Sequence, residues 1–194
     1  YVLACVTSRL IGWYHFAFLS DSLGISPETI RLLPIRKVEF LTPSNRRTKL
    51  LTQAQDLLGK MDSTGLLNFA EAHLSAMPEE ADVVHDLLAY LAQQMIDLNM
   101  QKQSEMKRFL GWLEGLLKVS VDEMTGKSKL RNYIGDYQKG ESEVSQEELE
   151  DIFYKNRNKI GISLSYARPM AKIRDEYENS LAVFLPLKSR LVWT

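Results

Sequence analysis

Cysteine is almost missing from this chain. Cys5 is the only one in 194 residues, so no internal disulfide and no cysteine-based zinc site is available. A reducing, cytoplasmic compartment is therefore expected. Histidine is scarce as well: His15, His73 and His85 are far apart and never spaced i, i+4, which removes the commonest helical metal-ligand pattern. Charge of one sign is absent, because 24 Lys and Arg face 25 Asp and Glu for a formal net charge of -1. A nucleic-acid partner would have to be met by a local basic patch. Long hydrophobic runs are lacking too. The most apolar stretch, Leu10 to Leu19, covers ten residues between Arg9 and Asp21, too short to span a bilayer. Neither GxGxxG nor GxxxxGK[ST] occurs, so no phosphate-cradling loop is predicted. No stretch repeats at a fixed period.

What remains is ordinary globular composition, 45% hydrophobic and 25% charged, enough to build a core and inconsistent with disorder. The patterning is that of helices. Residues 2–19 are apolar and free of proline, and read as one buried helix. Ser26-Pro27-Glu28 opens a short helix that Pro34 ends near Leu33. Ile35 to Phe40 alternates apolar and charged residues and reads as extended or as a short strand. A helix from Pro43-Ser44-Asn45 to about Lys60 carries Leu50, Leu51, Ala54, Leu57 and Leu58 on one face. Another is expected from Leu66 to Met77.

The stretch from Pro78 to Lys118 is the longest signal. Val84, Leu88, Leu91, Met95, Leu98, Lys102, Glu105, Phe109, Trp112 and Leu116 alternate three and four apart, like a heptad seam. A helix of roughly 40 residues is about 60 Å long and needs a partner along that seam. Leu57, Leu58 and the flanking helices are the expected partners, with Lys102 and Glu105 forming either a solvent-exposed waist, the favoured reading, or a buried polar pair that fixes register. Turns follow at Gly126 and Gly135. Ser145 with Glu148 forms a capping box for a helix to about Lys159. A last helix begins near Arg168-Pro169 and runs to Leu185, where Pro186 kinks or ends it. The fold class is mainly α: long antiparallel helices in a coiled-coil-like bundle, with at most one or two short strands near 35–40.

Candidate chemistry is thin. His15 lies in an apolar helix and reads as a satisfied core histidine. His85, beside Asp86, reads as part of a solvated face. Cys5 has no local base. Glu105-Met106-Lys107 has the acid-x-lysine spacing of restriction nucleases, but sits mid-helix without a strand before it. The acids Glu141, Glu143, Glu147, Glu148, Glu150 and Asp151 largely occupy a helix start, where the dipole favours them. The sign then reverses: Lys155, Arg157, Lys159, Arg168, Lys172 and Arg174 contain no acid among them, suiting either phosphate contact or internal complement to the acidic run. Lys127, Lys129, Arg131 and Tyr133 interleave bases with an aromatic, with Tyr137 and Lys139 beyond. Together with Arg36 and Lys37 they are the candidate DNA-binding residues, cations for phosphate and a ring for sugar or base.

Two stretches go beyond generic helix. TSRLIGWYHF followed by IRLLPIRKVEF resembles the end of the target-recognition domain in TaqI-like and type IIG restriction–modification methyltransferases, where a helix reading roughly LLNSKLxxWYF precedes an LPIRxIxF strand. Thr7-Ser8-Arg9 stands where that family has Asn-Ser-Lys. LLAYLAQQMIDLNMQKQSEMKRFLGWLE, with PLKSRLVWT near the end, resembles the helical segment that follows that domain. The family's NPPY motif and cofactor-binding glycine motif are absent, so the resemblance implies a region downstream of the catalytic domain of a bacterial DNA adenine methyltransferase. It implies residues 1–41 as the end of a recognition segment and 42–194 as a helical spacer. S-adenosylmethionine, and Mg2+ if the parent also cleaves, belong to the parent; no catalytic residue and no cofactor are assigned to this chain. The implied partners are double-stranded DNA and the catalytic domain or another helical subunit, with no membrane. Tyr1 in place of Met, and the uncapped Leu191-Val192-Trp193-Thr194, suggest an excerpt of a longer protein. The reading that needs no family is a helical protein–protein interaction module acting through its seam.

Overall fold

The computed structural model describes residues 1–6, 8–19, 31–136, 139–161 and 167–193. The described residues are mainly helical and contain no strand. In chain order the α-helices are α1 (Val2–Val6), α2 (Arg9–Tyr14), α3 (Ser44–Gly59), α4 (Ser63–Leu74), α5 (Ala81–Leu117), α6 (Lys127–Arg131), α7 (Gln146–Lys155) and α8 (Ala167–Trp193). A π-helical turn covers His15–Leu19 and a 3-10 turn covers Val121–Glu123. Two compact units divide the chain, residues 1–94 and 95–194, and α5 supplies residues 81–94 to the first and 95–117 to the second.

In the first unit, the single helix expected over 2–19 is broken. Ser8 caps α2 by accepting from the Ile11 amide at 3.2 Å. A side-chain oxygen that satisfies one free helix amide makes a new start cheaper than continuation. The helix expected from Ser26 lies largely outside the described residues. Residues 34–41 run without a strand partner. They are tied down at their end by Asp82, in the first turn of α5, which accepts from the Thr42 amide (2.7 Å) and hydroxyl (2.8 Å). Burial pushes the Asp82 carboxyl up, but those bonds outweigh it and leave it below its usual range. Helices α3 and α4 form a hairpin in which Asp62 caps α4 through the Gly65 amide at 2.8 Å. Ala54 is its only fully buried apolar residue, and α4 buries none.

The second unit holds the larger core. The residues of α5 that point inward are Leu98, Glu105, Phe109, Leu113 and Leu117, while Trp112 and Leu116 are only partly buried. The expected heptad seam is therefore one position off at its far end. A straight helix of 3.6 residues per turn drifts away from a 3.5 repeat. The main partner of this half is α8 rather than Leu57 and Leu58. Leu98 packs with Leu187 and Leu191, Glu105 meets Ser180, Arg108 pairs with Glu176, and the Phe109 and Tyr177 rings lie 5.7 Å apart. Residue numbers rise on one helix as they fall on the other, so the pair is antiparallel.

Pro186 lies inside α8 and does not end it. The position is exposed, and Leu187 and Leu191 on the next turns are held in the core, so burial offsets the missing backbone bond. Helix α7 has the expected capping box, with the Glu148 amide 3.1 Å from Ser145 Oγ and the Ser145 amide 3.2 Å from Glu148 Oε2. It ends at Lys155, four residues early, because Asn156 takes over. The buried Asn156 amide group donates to the Thr125 and Ile152 carbonyls and accepts from the Thr125 amide, each at 2.8 Å. That clamp ties the end of α7 to the turn before α6. Gly126 and Gly135 fall at turns as expected, with φ of 88° and 71°. At Gly135 an added Cβ would lie 2.4 Å from the Ser142 carbonyl oxygen, so nothing larger fits.

Candidate nucleic-acid interface

Of the six residues expected to touch DNA, Arg36 and Lys37 belong to the first unit and Lys127, Lys129, Arg131 and Tyr133 to the second. Tyr133 is 0% exposed. Its ring packs 4.7 Å from Phe109 and 5.7 Å from Tyr177, and its hydroxyl lies 2.5 Å from Ser180 Oγ. It cannot stack on a base, which corrects the sequence reading: the apolar face of α6, continued by Tyr133 and Ile134, is a core face. Burial raises the phenol to about 12, so it stays protonated. Lys129 and Arg131 stand on the opposite, exposed side of α6. Lys129 Nζ is 2.6 Å from Glu148, and Arg131 pairs with Asp122. Lys127 is exposed and makes no such pair among the described residues. In the first unit, Arg36 forms a two-pronged pair with Glu79 at 2.6 and 2.8 Å. Lys37 is exposed. Tyr137 lies outside the described residues. Lys139 pairs with Asp136 at 3.4 Å.

The histidines also depart from expectation. His15 is buried, 4% exposed, but its Nε2 has no hydrogen-bond partner among the described residues. His85 is not on a solvated face. It sits between the rings of Tyr1 (4.7 Å) and Phe40 (4.9 Å), with Nδ1 3.1 Å from Asp86. Arg47 lies over the other aromatic neighbour, 4.6 Å from the Phe40 centroid. His73 meets Glu80 at 2.6 Å, and Glu80 also takes Arg46 at 2.7 Å. No group of three or more His, Cys, Asp or Glu able to hold a metal occurs among the described residues.

Glu105 is the polar group that sequence reasoning misplaced. It is 9% exposed, not a wet waist. Its carboxylate takes Arg108 Nε at 2.8 Å and Nη2 at 2.7 Å, and Arg108 reaches on to Glu176. The Arg108 hydrogen bond chiefly, helped by Ser180 against burial, holds the Glu105 carboxyl below its usual range. Ser180 shares a hydrogen bond with the Tyr133 hydroxyl and also meets the Glu105 carboxylate. The result is a polar network of Tyr133, Ser180, Glu105 and Arg108, buried at the phenol and reaching the surface at the arginine. It fixes register between α5 and α8; Glu105 is fully occupied and Lys107, two residues on, is exposed on another face. The acid-x-lysine spacing therefore builds no reaction centre.

The acidic and basic runs partly answer each other. Lys155 pairs with Asp151 at 2.5 Å and Arg174 with Glu150 at 2.5 Å. Arg157 lies over its neighbour Tyr154, and Lys159 Nζ donates to the Glu123 carbonyl at 2.7 Å. Arg168 and Lys172 are exposed. No described helix is long and apolar enough to cross a membrane. Comparison with protein-family models, with curated proteins and with solved structures gave no match.

Proposed function

We propose that this chain is a non-catalytic, DNA-contacting helical spacer from the region that follows the catalytic domain of a bacterial restriction–modification DNA adenine methyltransferase, and that it works in the cytoplasm. The observation that carries the reading is the α5–α8 pair: a 37-residue helix whose second half is locked to a 27-residue antiparallel partner. Such a pair holds whatever is attached to it at a fixed distance, which is what a recognition segment needs from its mount. The resemblance of TSRLIGWYHF and IRLLPIRKVEF to the end of a recognition domain supplies the family. Methyl transfer from S-adenosylmethionine, and Mg2+-dependent cleavage if it occurs, belong to the parent. The test is direct. The purified chain, given S-adenosylmethionine, Mg2+ and duplex DNA, should bind the duplex weakly and in a salt-sensitive way, without methylating or cutting it. Methyl transfer, cleavage or absence of binding at low salt would overturn the reading.

A second reading, a protein–protein interaction module, is favoured by one observation. The first unit leaves Trp13, Phe18, Leu67 and Met77 exposed, at 59, 65, 71 and 98%. If that surface is an interface between copies, sedimentation should show a dimer that Leu67→Asp and Met77→Asp dissolve. A monomer rules it out.

A further inference from the structure

The end of the second unit where α5 stops and α8 begins gathers cations that form no ion pair among the described residues. Four observations place them. The Gly161 amide donates to the Leu117 carbonyl at 2.8 Å, and Gly161 lies against the Cβ of Lys118, so the chain leaving α7 passes the end of α5. Lys159 reaches the backbone of Glu123 in the 3-10 turn at the same end. The antiparallel register, extended from Arg108–Glu176 and Phe109–Tyr177, brings Lys172 level with Trp112 and Leu113, and Arg168 level with Leu117. Arg168 and Lys172 are four apart, on one side of α8, about 5.4 Å from each other along its axis.

Lys118, Arg157, Lys159, Arg168 and Lys172 are all exposed, and none pairs with a carboxylate among the described residues. Residues 162–166, Ile-Ser-Leu-Ser-Tyr, carry no acid that would change this. Carboxylates nearby are Glu114, whose oxygen is taken by the Ser120 hydroxyl and the Val121 amide at 3.0 and 2.8 Å, Glu123, and on α8 Asp175 and Glu176, the last already paired with Arg108. The first turn of α8 contains no acid, so the positive end of a 27-residue helix adds to the field instead of being cancelled. On α5, Gly111 and Gly115 present open backbone, with nothing within 4 Å of an added Cβ. Of the six acids in the 141–151 run, Glu148, Asp151, Glu150 and Glu143 pair with Lys129, Lys155, Arg174 and Lys188. Among the described residues, this end therefore carries more exposed cations than carboxylates free to meet them.

We infer that this end, built from Lys118, Arg157, Lys159, Arg168 and Lys172, is the surface on which the chain meets the phosphate backbone of duplex DNA, in place of the Lys129–Arg131 patch whose cations are already paired. This rests on the DNA reading proposed above and names its contact surface. The cations are side chains on rigid helices and turns with no base-reading geometry, so the contact is independent of sequence. A phosphate contact of this kind releases counterions, and each one adds about 0.9 to the slope of log K against log salt.

The experiment measures the affinity of the full chain for a fluorescent 20-base-pair duplex as salt is raised. It compares the wild type with Lys118→Gln/Arg168→Gln/Lys172→Gln and with Lys129→Gln/Arg131→Gln. All five positions are exposed, and circular dichroism confirms that the variants fold. The triple variant should lose about 2 to 3 from the slope and bind at least tenfold more weakly at low salt, while the double variant changes the slope by less than about 1. If the wild type binds duplex and the triple variant keeps its slope, the assignment of the surface is wrong and the DNA reading stands. If the wild type binds no duplex, both fall. Binding to phosphatidylserine vesicles without duplex binding would make the same end a lipid surface, and also overturns both.

Discussion

Replacing Glu105 by alanine removes the acceptor on which Arg108 and Ser180 converge. The Arg108 contact is two-pronged, with both donors within 2.8 Å, and a hydrogen bond to a charged group contributes about 1.5–3 kcal/mol. Arg108 is nearly half exposed and keeps Glu176, so the lower end of that range applies. Ser180 is 0% exposed and would lose one of its hydrogen-bond partners, a further cost of about 1–2 kcal/mol. The expected total at pH 7 is about 3 kcal/mol, read from urea unfolding followed by far-UV circular dichroism. Glu105→Gln keeps an acceptor for Ser180 and should cost about half as much. Glu105→Leu combined with Ser180→Ala removes both polar partners together, so it should be less destabilising than Glu105→Ala alone. The pH dependence has a definite sign. The Glu105 carboxyl is held low in the folded state, so its stabilisation is complete above the unfolded value of about 4.3 and is lost as pH falls through the lower folded value. The penalty of Glu105→Ala should therefore shrink toward pH 2. A cost under about 0.5 kcal/mol at pH 7, or one that does not change with acid, would refute the latch.

Phe109→Ala empties the centre of the ring cluster formed with Tyr133 and Tyr177 and should cost about 3–5 kcal/mol in the same assay. Asp82→Ala frees residues near Thr42 from α5 and should cost about 1–3 kcal/mol, with faster hydrogen exchange at the Thr42 amide. Because the Asp82 carboxyl is held low when folded, its contribution too is present above an unfolded value of about 3.9 and fades below it. Gly135→Ala should cost about 1–3 kcal/mol, since φ is 71° and the new Cβ would lie 2.4 Å from a backbone oxygen.

Much of the helical framework was legible in the sequence, because it is written in local signals. Ser145 and Glu148 announce a helix start by chemistry confined to four residues, and Gly126 and Gly135 mark turns by being the residues that accept a positive φ. The proline-free run from Pro78 gave α5 to within a few residues. Pairing was harder. Periodicity names a face but not what covers it, and here the cover for residues 98–117 comes from α8, some 70 residues away along the chain. The same limit hid Glu105: a charge at a seam position is a wet interruption or a buried latch, and only the presence of Arg108, Ser180 and Tyr133 around it decides. Tyr133 erred in the opposite direction. Bases at 127, 129 and 131 with an aromatic at 133 look like a nucleic-acid surface, yet the chain turns at the end of α6 so that the cations face water and the ring faces the core. Pro186 shows local and tertiary terms in competition, with the burial of Leu187 and Leu191 prevailing over a single lost backbone bond. The cation-rich end had a trace in the sequence, the acid-free series from Lys155 to Arg174. Which of those cations are left unpaired depends on the packing of α7 against α8, and Lys118 enters the group from a distant part of the chain.

The most direct measurement is lysine footprinting of the full chain with and without duplex DNA, in which each amine is read separately by mass spectrometry after brief acetylation. The expected result is protection of Lys118, Lys159 and Lys172 by DNA at low salt, lost as salt is raised, with Lys37 and Lys129 modified equally in both states. Protection centred on Lys37 or Lys129, or no difference at any lysine, would contradict the placement of a phosphate-binding surface at the α5–α8 end.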